Sequence, residues 1–366
     1  MERCDALIVG GGPAGSACAW QLRRAGWNVA VLDRAQFPRD KVCAGWITPG
    51  IFDLLDLAPA EYRATGLTFQ EIRGFRTGVL GGRMLETSYA APVSYAIRRC
   101  EFDDFLLRRS GARVLVPAPL ADLERRADRW IVNGRIETPV VVGEGGHFCP
   151  VARHLQGGVE VGRPVVAKEV EFRLDGAPSR VPAAVPELFF SHDLEGYGWC
   201  VRKGEFLNVG LGRRDKERFA EHLRAFLAFL VGSGRAPEDI AARPWRGHAY
   251  HARGAGLRPP IAEGALLVGD AAGLAYPESG EGIKPAVDSG RLAAETLIAA
   301  AGRVGVDALE PYAKGLRARY PVPAAAPAAL QPLVKTAGRL LLQHSRAFTR
   351  RIVIDRWFLR TTAPAR

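Results

Sequence analysis

The sequence predicts an α/β fold: a Rossmann-like dinucleotide-binding domain joined to an antiparallel β-sheet domain and followed by C-terminal helices. Three observations carry this expectation. A glycine fingerprint, Gly10-Gly11-Gly12-Pro13-Ala14-Gly15, directly follows an apolar tetrad. A second glycine-framed turn, Gly269-Asp270-Ala271-Ala272-Gly273, follows another apolar run far downstream. Between them lie stretches of alternating polarity, such as Val165 to Leu174, that read as half-buried strands.

Ala6-Leu7-Ile8-Val9 reads as a short buried strand, Ser16 to Ala25 as a helix and Asn28 to Leu32 as a second strand closed by Asp33. In this strand–turn–helix–strand order each glycine has a task. Gly10 permits the tight turn, Gly12 lets backbone reach a pyrophosphate, and Gly15 lets helix and strand pack closely. Pro13 and Ala14 complete the turn that leads into the helix, whose N-terminal N–H groups suit an anion. Asp33 is placed for ribose hydroxyls and disfavours a 2′-phosphate, although Arg34 is adjacent.

The middle segment predicts a helix over Phe102 to Ser110 and a strand over Ala112 to Val116. A hairpin turning at Asn133-Gly134 joins Trp130-Ile131-Val132 to Arg135-Ile136-Glu137. Phe219 to Leu230 reads as a helix against the alternating strands. Downstream, Ala265 to Val268 reads as a buried strand and Ala286 to Ala294 as a helix. Gly269, Asp270, Ala271 and Gly273, then Pro277, then Gly280, Glu281, Gly282 and Ile283, form a small-residue turn where backbone can approach a polar cofactor. The Asp270 carboxylate is placed to accept from ribityl hydroxyls.

These motifs and four further segments resemble the para-hydroxybenzoate hydroxylase-like flavoproteins, and within them the geranylgeranyl reductase group. Lys41-Val42-Cys43-Ala44-Gly45 resembles a K-x-C-G-G segment beside the flavin. Arg99-Cys100-Glu101-Phe102-Asp103 resembles an R-x-x-F-D helix start. Gly196-Tyr197-Gly198-Trp199 with Asn208 to Gly212 resembles G-Y-G-W … N-V-G-L-G strands. Val141 to Gly146 stands where the family has G-A-D-G, which places Gly143 at the flavin.

The resemblance implies an FAD-binding domain of the glutathione reductase/para-hydroxybenzoate hydroxylase type. It implies Lys41, Cys43, Ala44 and Arg99 near FAD, Cys43 as proton donor or polar contact, and Tyr197 and Trp199 as walls of the substrate cleft. The implied activity is reduction of C=C bonds in an isoprenoid or other apolar or lipid substrate. A hydroxylase acting through a flavin C4a-hydroperoxide is the alternative, and a flavin halogenase a minor variant. The implied electron donors are NADPH or NADH, or reduced ferredoxin as a donor protein. One position departs from the family: Gly145 replaces the G-A-D-G aspartate, with Glu144 before it. A carboxylate shifted by one residue on a turn is expected to point elsewhere, which weakens direct reduction by a nicotinamide.

The expected domains are discontinuous: 1–65, 94–156 and 256–302 for FAD, 66–93 and 157–255 for substrate, and 303–366 as a helical C-terminal segment. The 366 residues, 48% hydrophobic and 24% charged, suit a globular enzyme. No signal peptide is read at the N-terminus, and no apolar run reaches membrane-spanning length. Six dispersed cysteines suit a reducing cytoplasm without zinc or disulfides. His248 and His251 read as a surface loop with no metal.

The net charge of +11 comes without a nucleic-acid module, so nucleic acid is not an expected partner. From Gln331 to Arg366 cations alternate with apolar residues, against the single acid Asp355. That pattern is either a packed helical cap or a basic amphipathic helix on the inner face of an anionic membrane.

Overall fold

The computed structural model describes residues 1–156, 164–176, 179–254, 259–322 and 327–361. The expected boundaries at 157 and 256, part of the Ala-Pro stretch between Pro321 and Pro332, and Arg366 lie outside these.

The apolar tetrad Ala6–Val9 forms the centre of a six-stranded sheet. Its order is Ile261–Ala262, Ala265–Leu267, Val141–Gly143, Ala6–Val9, Val29–Leu32 and Arg113–Leu115. All pairs are parallel except the edge hairpin of Ile261–Ala262 with Ala265–Leu267. Strands buried on both faces need no alternation, which is why these segments read as continuous apolar runs. The helices Pro13–Arg24 and Ile283–Ala300 cover one face. They touch closely at Gly290, where an added Cβ would stand 2.1 Å from the Ala14 carbonyl oxygen.

A seven-stranded sheet stands beside it, ordered Arg246–Tyr250, Val165–Arg173, Phe206–Arg213, Gly196–Lys203, Glu187–Phe190, Gly74–Val79 and Met84–Ser88. It is antiparallel with one exception: Glu187–Phe190 runs parallel to Gly74–Val79. The long chain segment between those two strands imposes no hairpin, so their direction is set by packing. The helix Phe219–Gly232 packs on this sheet through Phe226 and Leu230. Two smaller sheets complete the architecture. One contains the Asn133-Gly134 hairpin, whose two residues both have positive φ.

Several expected boundaries shift. The first helix begins at Pro13, the second at Arg99 and the late helix at Ile283, directly after Gly282. In each case the residue before the start, Gly12, Arg98 or Gly282, has non-helical backbone angles, and the helix begins directly after it.

The C-terminal segment divides where one amphipathic helix was a possibility. Gln331–His344 is α-helical, Ser345 caps the next turn by accepting from Phe348 N at 3.2 Å, and Thr349–Phe358 winds as a π-helix. Val353, Ile354, Phe358 and Leu359 are buried against Phe75, Leu188 and Val201 of the large sheet, as a cap would be. The upstream helix instead leaves Leu333, Val334, Leu340 and Leu341 exposed. No helix among the described residues is long and apolar enough to cross a membrane.

Candidate functional site

The strand Ala6–Val9 delivers Gly10 with φ of 120°, a conformation glycine adopts without strain. The helix then starts at Pro13, which lacks an N–H that would be unbonded there in any case. Ser16 N makes the first helical bond, to Gly12 O at 2.9 Å, so the N–H groups of Ala14 and Gly15 have no intrahelical acceptor. Gly15 is packed so tightly that a Cβ would stand 2.1 Å from Gly10 O. Asp33, just past the strand Val29–Leu32, accepts from Gly11 N at 2.8 Å and Ala35 N at 2.9 Å. Arg39 lies 3.2 Å from Asp103 and 4.0 Å from Asp33, and Arg34 sits exposed on the cleft rim.

Glu144 corrects an expectation. Its side chain does not point away: it reaches the fingerprint turn and accepts from Gly12 N at 3.1 Å. Gly145 has a steric reason to be glycine, since a Cβ would come within 2.8 Å of Cys149 Cα and 2.9 Å of Pro150 Cδ. Gly143 packs beneath the turn against Leu267, Val151 and Cys149 and does not line the cleft.

The second glycine turn approaches the cleft from the neighbouring strand. Gly269 donates to Ser289 Oγ at 2.9 Å, Ala271 is buried, and Gly273 closes the turn with φ of 70°. None of these three lines the cleft, whereas Asp270 faces it. Burial raises the Asp270 carboxyl, but His248 and Lys41 outweigh it and hold it below the usual range. Lys41 Nζ and His248 Nε2 are 2.6 Å apart. Burial lowers both, Lys41 to about 8, so the neutral imidazole accepts from the ammonium. The surface-loop reading of the two histidines is therefore wrong. His248 lies on the strand Arg246–Tyr250 and faces the cleft, and His251 is buried. Their Gly/Pro-rich surroundings masked a strand that pairs with Val165–Arg173.

Gly280, Glu281, Gly282 and Ile283 line the same wall, with Pro277 nearby. Glu281 accepts from Lys284 N at 2.7 Å, and burial pushes its carboxyl up to about 6. Cys43, Ala44, Tyr197 and Trp199 line the same cleft. Cys43 Sγ accepts from Gly45 N at 3.3 Å, and Cys43 N donates to Glu169 at 2.7 Å. Arg99 grips Asp103 through two bonds of 2.8 Å and lines the cleft beside Cys43.

The Tyr197 hydroxyl donates to the Ser279 carbonyl, and Trp199 Nε1 donates to Asn208 Oδ1 at 2.7 Å. Asn208 donates in turn to Glu169 at 3.2 Å and Glu171 at 3.3 Å, and buried Lys203 pairs with Glu171 at 2.7 Å. Burial pushes the Glu169 carboxyl up to about 7.

One cavity of about 850 Å³ joins these groups. Of the expected residues, Gly10, Pro13, Asp33, Arg34, Lys41, Cys43, Ala44 and Arg99 line it. Gly12, Ala14, Gly15, Gly143, Gly269, Ala271 and Gly273 shape the turns from behind. Sequence reasoning missed Arg39, Glu169, Asn208 as a network member, Lys203 and His248.

A family model described as FAD dependent oxidoreductase matches residues 5–87. The chain is 30% identical over 338 residues to a menaquinone reductase of Mycobacterium tuberculosis, covering 81% of this chain and 77% of that one. It is 30% identical over 340 residues to a digeranylgeranylglycerophospholipid reductase of Methanothrix thermoacetophila, covering 86% and 83%. A solved geranylgeranyl bacteriochlorophyll reductase-like protein from Thermoplasma acidophilum shares the fold, with a TM-score of 0.70, 21% identity and coverage of 94% and 88%. With the two glycine turns, Asp33 and Asp270 on one cleft, the chain belongs to the geranylgeranyl reductase group of the para-hydroxybenzoate hydroxylase-like FAD-dependent oxidoreductases.

Proposed function

We propose that this enzyme saturates C=C bonds of an isoprenoid chain carried by a lipid or a quinone. The observation that carries the reading is the single cleft: a dinucleotide turn at one end and an aromatic, largely apolar wall of Trp46, Phe190, Tyr197 and Trp199 at the other. The names of the relatives, a menaquinone reductase and a digeranylgeranyl-lipid reductase, support the same substrate class.

The residues fit FAD. The free first-turn N–H groups of Ala14 and Gly15 suit a diphosphate, Asp33 a ribose, and Asp270 a ribityl chain. Lys41, His248 and the Gly280–Ile283 turn would hold the flavin ring. When bound and reduced, FAD supplies the hydride. An isolated alkene also needs a proton, and Cys43 is the group on the cleft wall suited to deliver it from Sγ. Glu169 and Asn208 hold the Cys43 loop in place, while Tyr197 and Trp199 confine the chain and exclude water. The reducing equivalents come from NADPH, NADH or reduced ferredoxin.

The exposed helix face supports a peripheral place on the inner membrane surface. Leu333 and Val334 are 68% and 56% exposed. On its inner side the helix Gln331–His344 meets the cleft mouth, with Lys335 paired to Glu195 and Gly338 against Leu194. Arg346, Arg350 and Arg351 add exposed positive charge for anionic headgroups.

Anaerobic mixing of the reduced holoenzyme with a geranylgeranyl lipid tests the reaction. Flavin reoxidation by the unsaturated lipid, but not by its saturated counterpart, is expected. Equal behaviour with both lipids would refute the reading.

A further inference from the structure

We propose that Glu144 gates the cofactor seat: its carboxylate lies on the fingerprint turn where a diphosphate must approach, so FAD binds tightly only when Glu144 is protonated. The inference rests on the FAD assignment and goes beyond it.

Glu144 Oε2 takes the Gly12 N–H at 3.1 Å. A Cβ on Gly10 would stand 2.4 Å from Oε2, and a Cβ on Gly12 2.5 Å from Oε1. The carboxylate thus fills the space that the two missing side chains leave open. Those glycines serve to let backbone approach a pyrophosphate. An ionised carboxylate and a diphosphate cannot share that space without strong repulsion, because water screens little inside a cleft. A protonated carboxyl can donate to a phosphate oxygen instead.

The surrounding charges are mixed. Arg39 favours the ionised form of Glu144, Asp33 and Asp103 oppose it, and the Cys149 thiol lies behind it. Burial dominates and pushes the Glu144 carboxyl up to about 8. The free protein therefore holds Glu144 largely protonated at neutral pH and ionises it above about pH 8. FAD binding in that alkaline range takes up one proton at the Glu144 carboxylate and moves no electrons. Affinity should then fall by about tenfold per pH unit above the carboxyl's own pKa.

Lys41, lowered to about 8, loses its charge over the same range and must be separated from Glu144. The experiment titrates the full-length protein with FAD, read by flavin fluorescence, between about pH 6.5 and 9.5. Wild type, Glu144→Gln and Glu144→Ala are compared. The wild type should bind nearly equally well up to about pH 7.5 and roughly fivefold more weakly at pH 9 than at pH 8. Both variants should lose most of that dependence and bind more tightly than wild type at the alkaline end.

The alanine variant keeps the test decisive if the glutamine variant folds poorly, since alanine needs no hydrogen-bond partner there. The same alkaline loss in all three proteins would assign it to Lys41 and overturn the gate. A flat wild-type profile would overturn it as well. Failure to bind FAD at any pH would overturn the cofactor reading along with it, whereas tight, pH-independent binding would overturn the gate alone.

Discussion

The backbone N–H of Cys43 donates to the Glu169 carboxylate at 2.7 Å, tying the cleft-wall loop to the strand Val165–Arg173 of the large sheet. Glu169 also accepts from Asn208, which holds the Trp199 indole through its other end. One polar network therefore fixes both the Cys43 loop and the Trp199 indole. Such a network is rigid only while every member is satisfied.

Cys43→Ala removes the thiol but leaves the backbone bond to Glu169. Flavin retention and thermal stability should stay near wild type, with stability falling by less than about 1 kcal/mol at this half-buried site. The rate of alkene saturation should drop by about 10²-fold or more, as expected for loss of a general acid. Single-turnover kinetics checks this, and an unchanged rate would reduce Cys43 to a packing residue.

Glu169→Gln keeps an acceptor for Cys43 and removes an ionisable group. The folded-state value of Glu169, about 7, lies above its ordinary 4.5. Its contribution to stability is therefore complete below pH 4.5 and is lost as pH rises through about 7. Relative to wild type, the glutamine variant should gain stability between about pH 5 and 8, by on the order of 1–3 kcal/mol. Thermal unfolding of both proteins at the two pH values measures this. A difference that does not change with pH would mean that Glu169 ionises normally.

Gly145→Asp would restore the carboxylate that the family carries. The space is absent, with backbone 2.8 Å from an added Cβ. The variant should lose about 1–3 kcal/mol of stability, as overpacked sites do, and gain no reduction by NADPH. Anaerobic flavin bleaching by NADPH at unchanged stability would instead show that the missing aspartate alone limits nicotinamide use.

Leu333→Glu with Leu341→Glu places two charges on the exposed face of the helix Gln331–His344. Folding and FAD binding should be unaffected, because both side chains are solvent-exposed. Sedimentation with anionic vesicles should fall by about tenfold or more, given two lost apolar anchors and added repulsion. Equal sedimentation of both proteins would remove this face from any membrane role.

What was legible in the sequence was what the local chain dictates. Gly10, Gly15 and Gly269 mark turns whose backbone needs glycine, and Asp33 and Asp270 follow strands at fixed offsets. The network around Cys43 was not legible. Glu169, Glu171 and Lys203 look like the polar half of alternating strands, and only the approach of a loop more than a hundred residues upstream buries them. Glu144 was legible as a departure from a motif but not in its direction, because the turn geometry at Gly145 decides where the side chain before it points. The Gln331–Arg366 pattern matched both a cap and a surface helix; after Ser345 the described chain packs as a cap, while Gln331–His344 leaves apolar side chains exposed.

The most direct test of the central claim is mass spectrometry of a geranylgeranyl lipid after anaerobic incubation with the holoenzyme and a chemical reductant. The account predicts products that gain two hydrogens for each bond saturated, with none formed by FAD-free protein. An unaltered lipid under these conditions, with a product carrying an added oxygen once air is admitted, would contradict it and assign the enzyme to hydroxylation.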